Sequence, residues 1–174
     1  MKATLKNMVV RHFFLKDDGT FPNNVNLPVL LYRSAWELPL FKATYIKSEL
    51  MRNSWGNSWK DGINDYHHYH STAHEVLCAY RGRTSVLLGG EHGLITSFEA
   101  GDVLIIPAGV AHKNISPEST FKCVGAYPFG QNYDMNYGKP GERPAADENI
   151  RKLPLPEEDP VFGKFGPLKE YWKI

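Results

Sequence analysis

Between Gly62 and Pro128 the chain is a succession of short apolar runs, each ended by a turn rich in glycine or proline. Val76–Tyr80 stops at Arg81-Gly82-Arg83, Thr84–Leu88 at Gly89-Gly90, and Leu94–Phe98 at Ala100-Gly101-Asp102. Val103–Ile106 stops at Pro107-Ala108-Gly109, and Phe121–Tyr127 at Pro128. Runs of this length at near-even spacing predict strands, and no helix-length periodic segment interrupts them. That excludes βαβ units and leaves an all-β sandwich or barrel.

The flanks are less regular. Met8–Leu15 and Val29–Arg33 predict strands. Phe41–Arg52 predicts a helix, because Ile46, Leu50 and Met51 recur at helical spacing. Trp55-Gly-Asn-Ser-Trp59 reads as a loop carrying two large aromatics. Residues 128–174 hold more than half of the 12 prolines, and Pro154, Pro156 and Pro160 rule out a regular helix there. A short closing helix can begin after Pro167. Phe162, Phe165, Leu168, Tyr171 and Trp172 are too apolar for a disordered tail, so residues 129–174 are expected to wrap over the barrel. With 174 residues the chain reads as a single domain, 1–174, with a barrel core over about residues 60–128.

Net charge is +1 and no basic run is present, so neither nucleic acid nor a membrane surface is an expected partner. The N-terminal apolar residues are broken up by Arg11, His12 and Lys16, too soon for a signal peptide or a span. Cys78 and Cys123 sit in strand-like runs and are expected as buried free thiols in a cytoplasmic protein.

The chemistry concentrates in two stretches. The first runs from Gly62 through His-His-Tyr-His-Ser-Thr-Ala-His-Glu to Gly82, and the second from Gly101 through Pro107 and Gly109 to His112. On a strand, His68 and His70 share one face, while His67 and Tyr69 share the other. Glu75 is an odd number of residues beyond His70, so a turn through Ser71–His74 is needed before it can face the two histidines. His74 then points away from the ligands, either to the surface or behind them. His112 arrives from a different hairpin and is brought in by closure of the barrel. Three imidazoles and a carboxylate suit one divalent transition metal (Fe, Mn, Ni, Zn, Co or Cu) and not a calcium or magnesium cage. Four such ligands leave coordination positions open in an octahedral site. Trp59, Tyr66 and Tyr127 are candidates for the lining of the pocket mouth. Neither a Ser-His-Asp order nor an activated cysteine is present to support nucleophilic catalysis.

The two stretches resemble the paired motifs of the cupin superfamily. Gly62, His68, His70, Glu75 and Gly82 fit the first motif at every position, and Gly101, Pro107, Gly109 and His112 fit the second. The asparagine that ends the second motif is displaced: Ser116 stands in its place and Asn114 comes two residues early. The run from His67 to Leu77, the Tyr127-Pro128-x-Gly130-Gln131-x-Tyr133-Asp134 stretch and the Pro156–Pro167 tail look most like the YjlB-like group of small single-domain cupins. The resemblance covers roughly residues 8 to 172. It implies a double-stranded β-helix, the RmlC-like jelly roll, with metal at the barrel mouth and a homodimer paired through the N-terminal strand. It fixes no reaction, because cupins include dioxygenases, isomerases, decarboxylases and binders without chemistry. Three functions compete: a metal-dependent oxygenase, isomerase or lyase acting on a small polar molecule; a non-catalytic metal-dependent small-ligand binding protein; and a structural barrel with a vestigial site.

Overall fold

The computed structural model describes residues 8–37, 42–117 and 120–173. In chain order the elements are β1 (Val9–Leu15), β2 (Asn24–Arg33), α1 (Lys42–Arg52), β3 (Trp55–Asp61), β4 (Glu75–Arg81) and β5 (Arg83–Leu88). There follow β6 (Leu94–Glu99), β7 (Val103–Ile106), β8 (His112–Asn114), β9 (Lys122–Pro128), α2 (Ala145–Lys152) and α3 (Pro167–Tyr171). All strand pairs are antiparallel. One sheet has the order β1-β2-β7-β4-β9-β3 and the other β6-β5-β8. The sheets face each other as the jelly-roll barrel that the family resemblance implies, one of the all-β architectures the runs leave open.

Side-chain alternation sorts the large sheet into two cores. Leu31, Leu77, Ala79, Leu104 and Cys123 point inward and meet Val86, Leu88 and Phe98 of the small sheet. Tyr32, Val76, Cys78, Ile105 and Val124 point outward, where α1 covers them with Ile46 and Leu50 and the C-terminal tail with Leu168 and Trp172. Burial on both faces is why β7 reads as an unbroken Val-Leu-Ile-Ile and why none of its four residues is exposed. β6 has one face to solvent and alternates accordingly.

Leu168 and Trp172 of the tail pack on the outer face, and the tail is pinned by polar anchors. The Trp172 indole donates to the Pro28 carbonyl at 2.9 Å, and the Tyr32 hydroxyl donates to Asp159 at 2.7 Å. Fully buried Asp159 also accepts the backbone N–H groups of Val161, Phe162 and Leu168.

Several elements depart from the sequence reading. Strands β1, β2 and β3 lie in the large sheet, so the sheet draws on residues outside 60–128. Residues 55–59 are not a loop but the start of β3, which pairs with β9. The Gly-Asn-Ser that suggested a loop makes a bulge between Gly56 and Trp59, with Asn57 left-handed at φ 52°. Trp55 and Trp59, four apart, would share a face on a regular strand; the bulge sends Trp55 to the outer core and Trp59 to the inner one. Helix α2 has no counterpart in the reading. It ends at Lys152, so the prolines from Pro154 onward stop it without preventing it. Helix α1 begins at Lys42; Phe41, like residues 1–7 and Ile174, lies outside the described residues.

Candidate metal centre

Three segments deliver the four predicted ligands to the barrel interior: residues 67–70, the start of β4 and the start of β8. His68 is bridged to His112 by two backbone hydrogen bonds of 3.2 and 2.9 Å, and Tyr69 is bridged in the same way to Asn136. The 67–70 segment is therefore held between the start of β8 and the 134–136 loop, and not in a hairpin with β4. Strand parity holds: Tyr69 packs with Phe21, Ala111 and Ala146, and the His67 ring lies 5.3 Å from that of Phe21. After the turn at residues 71–74, Glu75 opens β4 opposite Ile106 and points inward with Leu77. The loop before it is locked by Asp134, whose carboxylate accepts the Ser71 and Thr72 backbone N–H groups and both hydroxyls.

The ligand atoms of His68, His70 and His112 all lie within 4.8 Å of one another, and the three residues are buried. Glu75 falls outside that tightest group but beside it. Its Oε2 is 3.5 Å from His70 Nε2 and 3.2 Å from His112 Nε2.

Proton bookkeeping tests whether these residues fit a cation. Each ring presents Nδ1 to a backbone carbonyl: His68 to Tyr66 at 3.2 Å, His70 to Asp134 at 2.6 Å, His112 to Val110 at 3.0 Å. A carbonyl only accepts, so Nδ1 carries the hydrogen in each case and the neutral ring turns a lone pair on Nε2 toward the centre. Glu75 Oε2 is buried there without a hydrogen bond. Lone pairs converging on a carboxylate oxygen call for a proton or a metal cation between them, and the donor set fits a divalent transition metal.

Burial, with the His112 ring beside it, pushes His68 down to about 3. Burial also works to lower His70, yet the Glu75 carboxylate outweighs it and the net displacement is upward. Burial alone would raise Glu75; His70 and His112 together hold it well below the usual carboxylate range.

A cavity of about 390 Å³ opens over these side chains. Trp59 and Tyr127, two of the three aromatic candidates, line it. Tyr66 is absent from its lining, being half-exposed with its ring 5.8 Å from that of His68. Tyr133 and Met135 line the cavity without having been singled out. The Tyr133 ring stacks on Tyr127 at 4.3 Å and lies 4.9 Å from His70. Only its place in the Tyr127–Asp134 stretch hinted at such a position. His74 is not at the surface. It is buried behind the site, its Nδ1 accepts the Ala108 N–H at 2.9 Å, and its ring lies 4.8 Å from that of Trp172. The displaced Asn114 accepts the Thr84 hydroxyl and the Ser116 N–H, tying β8 to β5.

No family model matches the chain. The uncharacterized protein YjlB of Bacillus subtilis (strain 168) is 43% identical over 161 residues, 92% of this chain and 94% of that protein. Among solved structures, acireductone dioxygenase from Bacillus anthracis with a cadmium ion in its active center is 12% identical with a TM-score of 0.41, over 75% of this chain and 83% of that one. The epimerase RmlC from Legionella pneumophila is 11% identical with a TM-score of 0.39, over 72% of this chain and 74% of that one. Procruciferin, an 11S globulin from Brassica napus, is 13% identical with a TM-score of 0.38; 78% of this chain is covered, and it spans only 30% of that protein. Near-complete coverage of both chains at 43% identity, with the paired histidine motifs meeting in one jelly roll, shows that the chain belongs to the YjlB-like group of the cupin superfamily.

Proposed function

We propose that this chain holds one divalent transition metal through Nε2 of His68, His70 and His112 and Oε2 of Glu75, and that the centre acts on a small polar molecule entering the cavity above it. The observation that carries the reading is the buried Glu75 oxygen, without a hydrogen bond, facing two imidazole nitrogens. A bound metal of this class supplies Lewis acidity and coordination positions for an exogenous ligand. The reactions such a centre supports are those of a metal-dependent oxygenase, isomerase or lyase. The chain's own residues orient the ligands through the three Nδ1 hydrogen bonds and wall the cavity with Trp59, Tyr127 and Tyr133.

One observation favours a second reading, a metal-dependent binding protein without chemistry. Among the described cavity residues, the buried titratable groups other than the ligands reduce to Tyr127, whose hydroxyl is engaged on Glu75. Among the described residues, no free buried acid or base faces the cavity. Metal analysis of protein purified without chelator tests what both readings share: close to one transition metal per chain is expected. Metal-free protein whose stability is unchanged by chelation contradicts both. Oxygen consumption and product formation across small hydroxy, thiol and catechol compounds separate them, a flat panel favouring the binder.

Residues 1–174 are proposed to form one domain and to associate as a homodimer through β1, an edge strand that leaves Val9 and Phe14 exposed. The two free buried cysteines support a reducing, cytoplasmic location. Among the described residues, no helix is long and apolar enough to cross a membrane.

A further inference from the structure

Glu75 presents its two carboxylate oxygens to different neighbours. Oε2 faces His70 and His112. Oε1 accepts the hydroxyl of Tyr127 at 2.8 Å. The Tyr127 oxygen in turn accepts the indole N–H of Trp59 at 2.9 Å. An indole nitrogen only donates, so the direction of this chain cannot reverse, and the phenol proton stays aimed at Glu75.

Two backbone features exist to let Trp59 reach that hydroxyl. The bulge after Gly56 turns the indole to the inner face of the sheet. On β9, opposite Trp59, stands Gly125, and a Cβ there would overlap the indole ring, Nε1 included. Gly125 has no left-handed φ to explain it. A glycine inside a strand marks a close approach, and here the approaching group is the Trp59 ring.

We infer that Tyr127, locked by Trp59 lying over Gly125, is a positioning residue that restricts Glu75 to a single metal-binding oxygen and so keeps one more coordination position open for an exogenous ligand. The inference rests on the metal-centre reading above. Carboxylates bind metal ions through one oxygen or both, and the choice depends on what else each oxygen accepts. Removing the phenol hydroxyl frees Oε1 to turn onto the ion. The open position at the cavity is then filled by the protein itself.

The test uses Mn(II) alone as the probe. Full-length chain is stripped with chelator and reloaded, water-proton relaxivity counts the exchangeable waters on the bound ion, and indicator competition gives the affinity. An octahedral ion with four protein ligands keeps about two waters in the unaltered chain, and the expectation for Tyr127→Phe is about one, with affinity kept or improved. Trp59→Phe, which leaves the hydroxyl in place but unanchored, moves the count in the same direction by less, and it decides the matter where Tyr127→Phe does not fold. A two-water ion in the variants overturns the inference. So does an affinity weakened about 10–100-fold at an unchanged water count, the behaviour of a residue that merely supports the site. Failure of the unaltered chain to bind Mn(II) or any other divalent transition metal overturns the metal-centre reading instead.

Discussion

At the residue scale the structure separates histidines that look alike in sequence. His70 and His74 are both buried, but the first turns Nε2 toward Glu75 and the second is spent on the Ala108 N–H. His70→Ala is therefore expected to abolish metal retention. His74→Ala is expected to spare it while lowering stability by roughly 1–3 kcal/mol, through the buried amide it leaves unpaired. Metal content and urea midpoints on the two variants check this pair, and equal metal loss in both contradicts the assignment. Parity and motif spacing made the convergence of His68, His70, Glu75 and His112 legible in the sequence. Tyr133 and Asp134 were not, because their roles come from a loop folded back over the site, where alternation gives no guidance. The Trp59–Tyr127–Glu75 chain was hidden for a related reason: residues 55–59 read as a loop, whereas they form a bulged strand whose register sets Trp59 opposite Gly125.

At the scale of elements, strands covered on both faces announced themselves as continuous apolar runs, and the barrel followed from them. Helix α2 was hidden because it is short and largely polar, with Ala146 its buried residue. It is tied down from outside by Arg143, which donates to both Asp17 and Asp147. The Arg143 hydrogen bonds hold the Asp17 carboxyl below its ordinary value against the opposing effect of burial. For an acid depressed in the fold, the stabilisation is present above the unfolded value, about 3.9, and is lost as pH falls through the depressed one. Arg143→Ala should thus be less stable than the unaltered chain at pH 7, with the gap closing toward pH 3; a gap independent of pH in urea titrations contradicts that. The C-terminal tail depends on a different acid. Asp159→Ala strands three backbone N–H groups and the Tyr32 hydroxyl. A loss of about 1–3 kcal/mol is expected, with early proteolysis beyond residue 153. Unchanged tail protection would show that apolar packing of Leu168 and Trp172 suffices.

At the scale of the whole molecule, the barrel brings His112 to His68 across more than forty residues of chain, so the ligand set exists only in the folded state. A metal bound there stabilises the fold by mass action, about 2.7 kcal/mol at a free concentration 100 times Kd. Chelation should lower the thermal midpoint of the unaltered chain and leave that of His70→Ala unmoved. The outer edge at β1 belongs to this scale as well. On the proposed pairing through β1, Phe14→Glu is expected to lower the mass in light-scattering chromatography from dimer to monomer, and an unchanged mass would contradict that pairing. The central claim, one transition metal on three imidazoles and one carboxylate oxygen, is tested most directly by anomalous diffraction from protein purified without chelator. The account predicts a single strong anomalous peak about 2.0–2.2 Å from Nε2 of His68, His70 and His112 and from Oε2 of Glu75. A map with no peak among these atoms, or a peak ligated by His67 or His74 in their place, would contradict it.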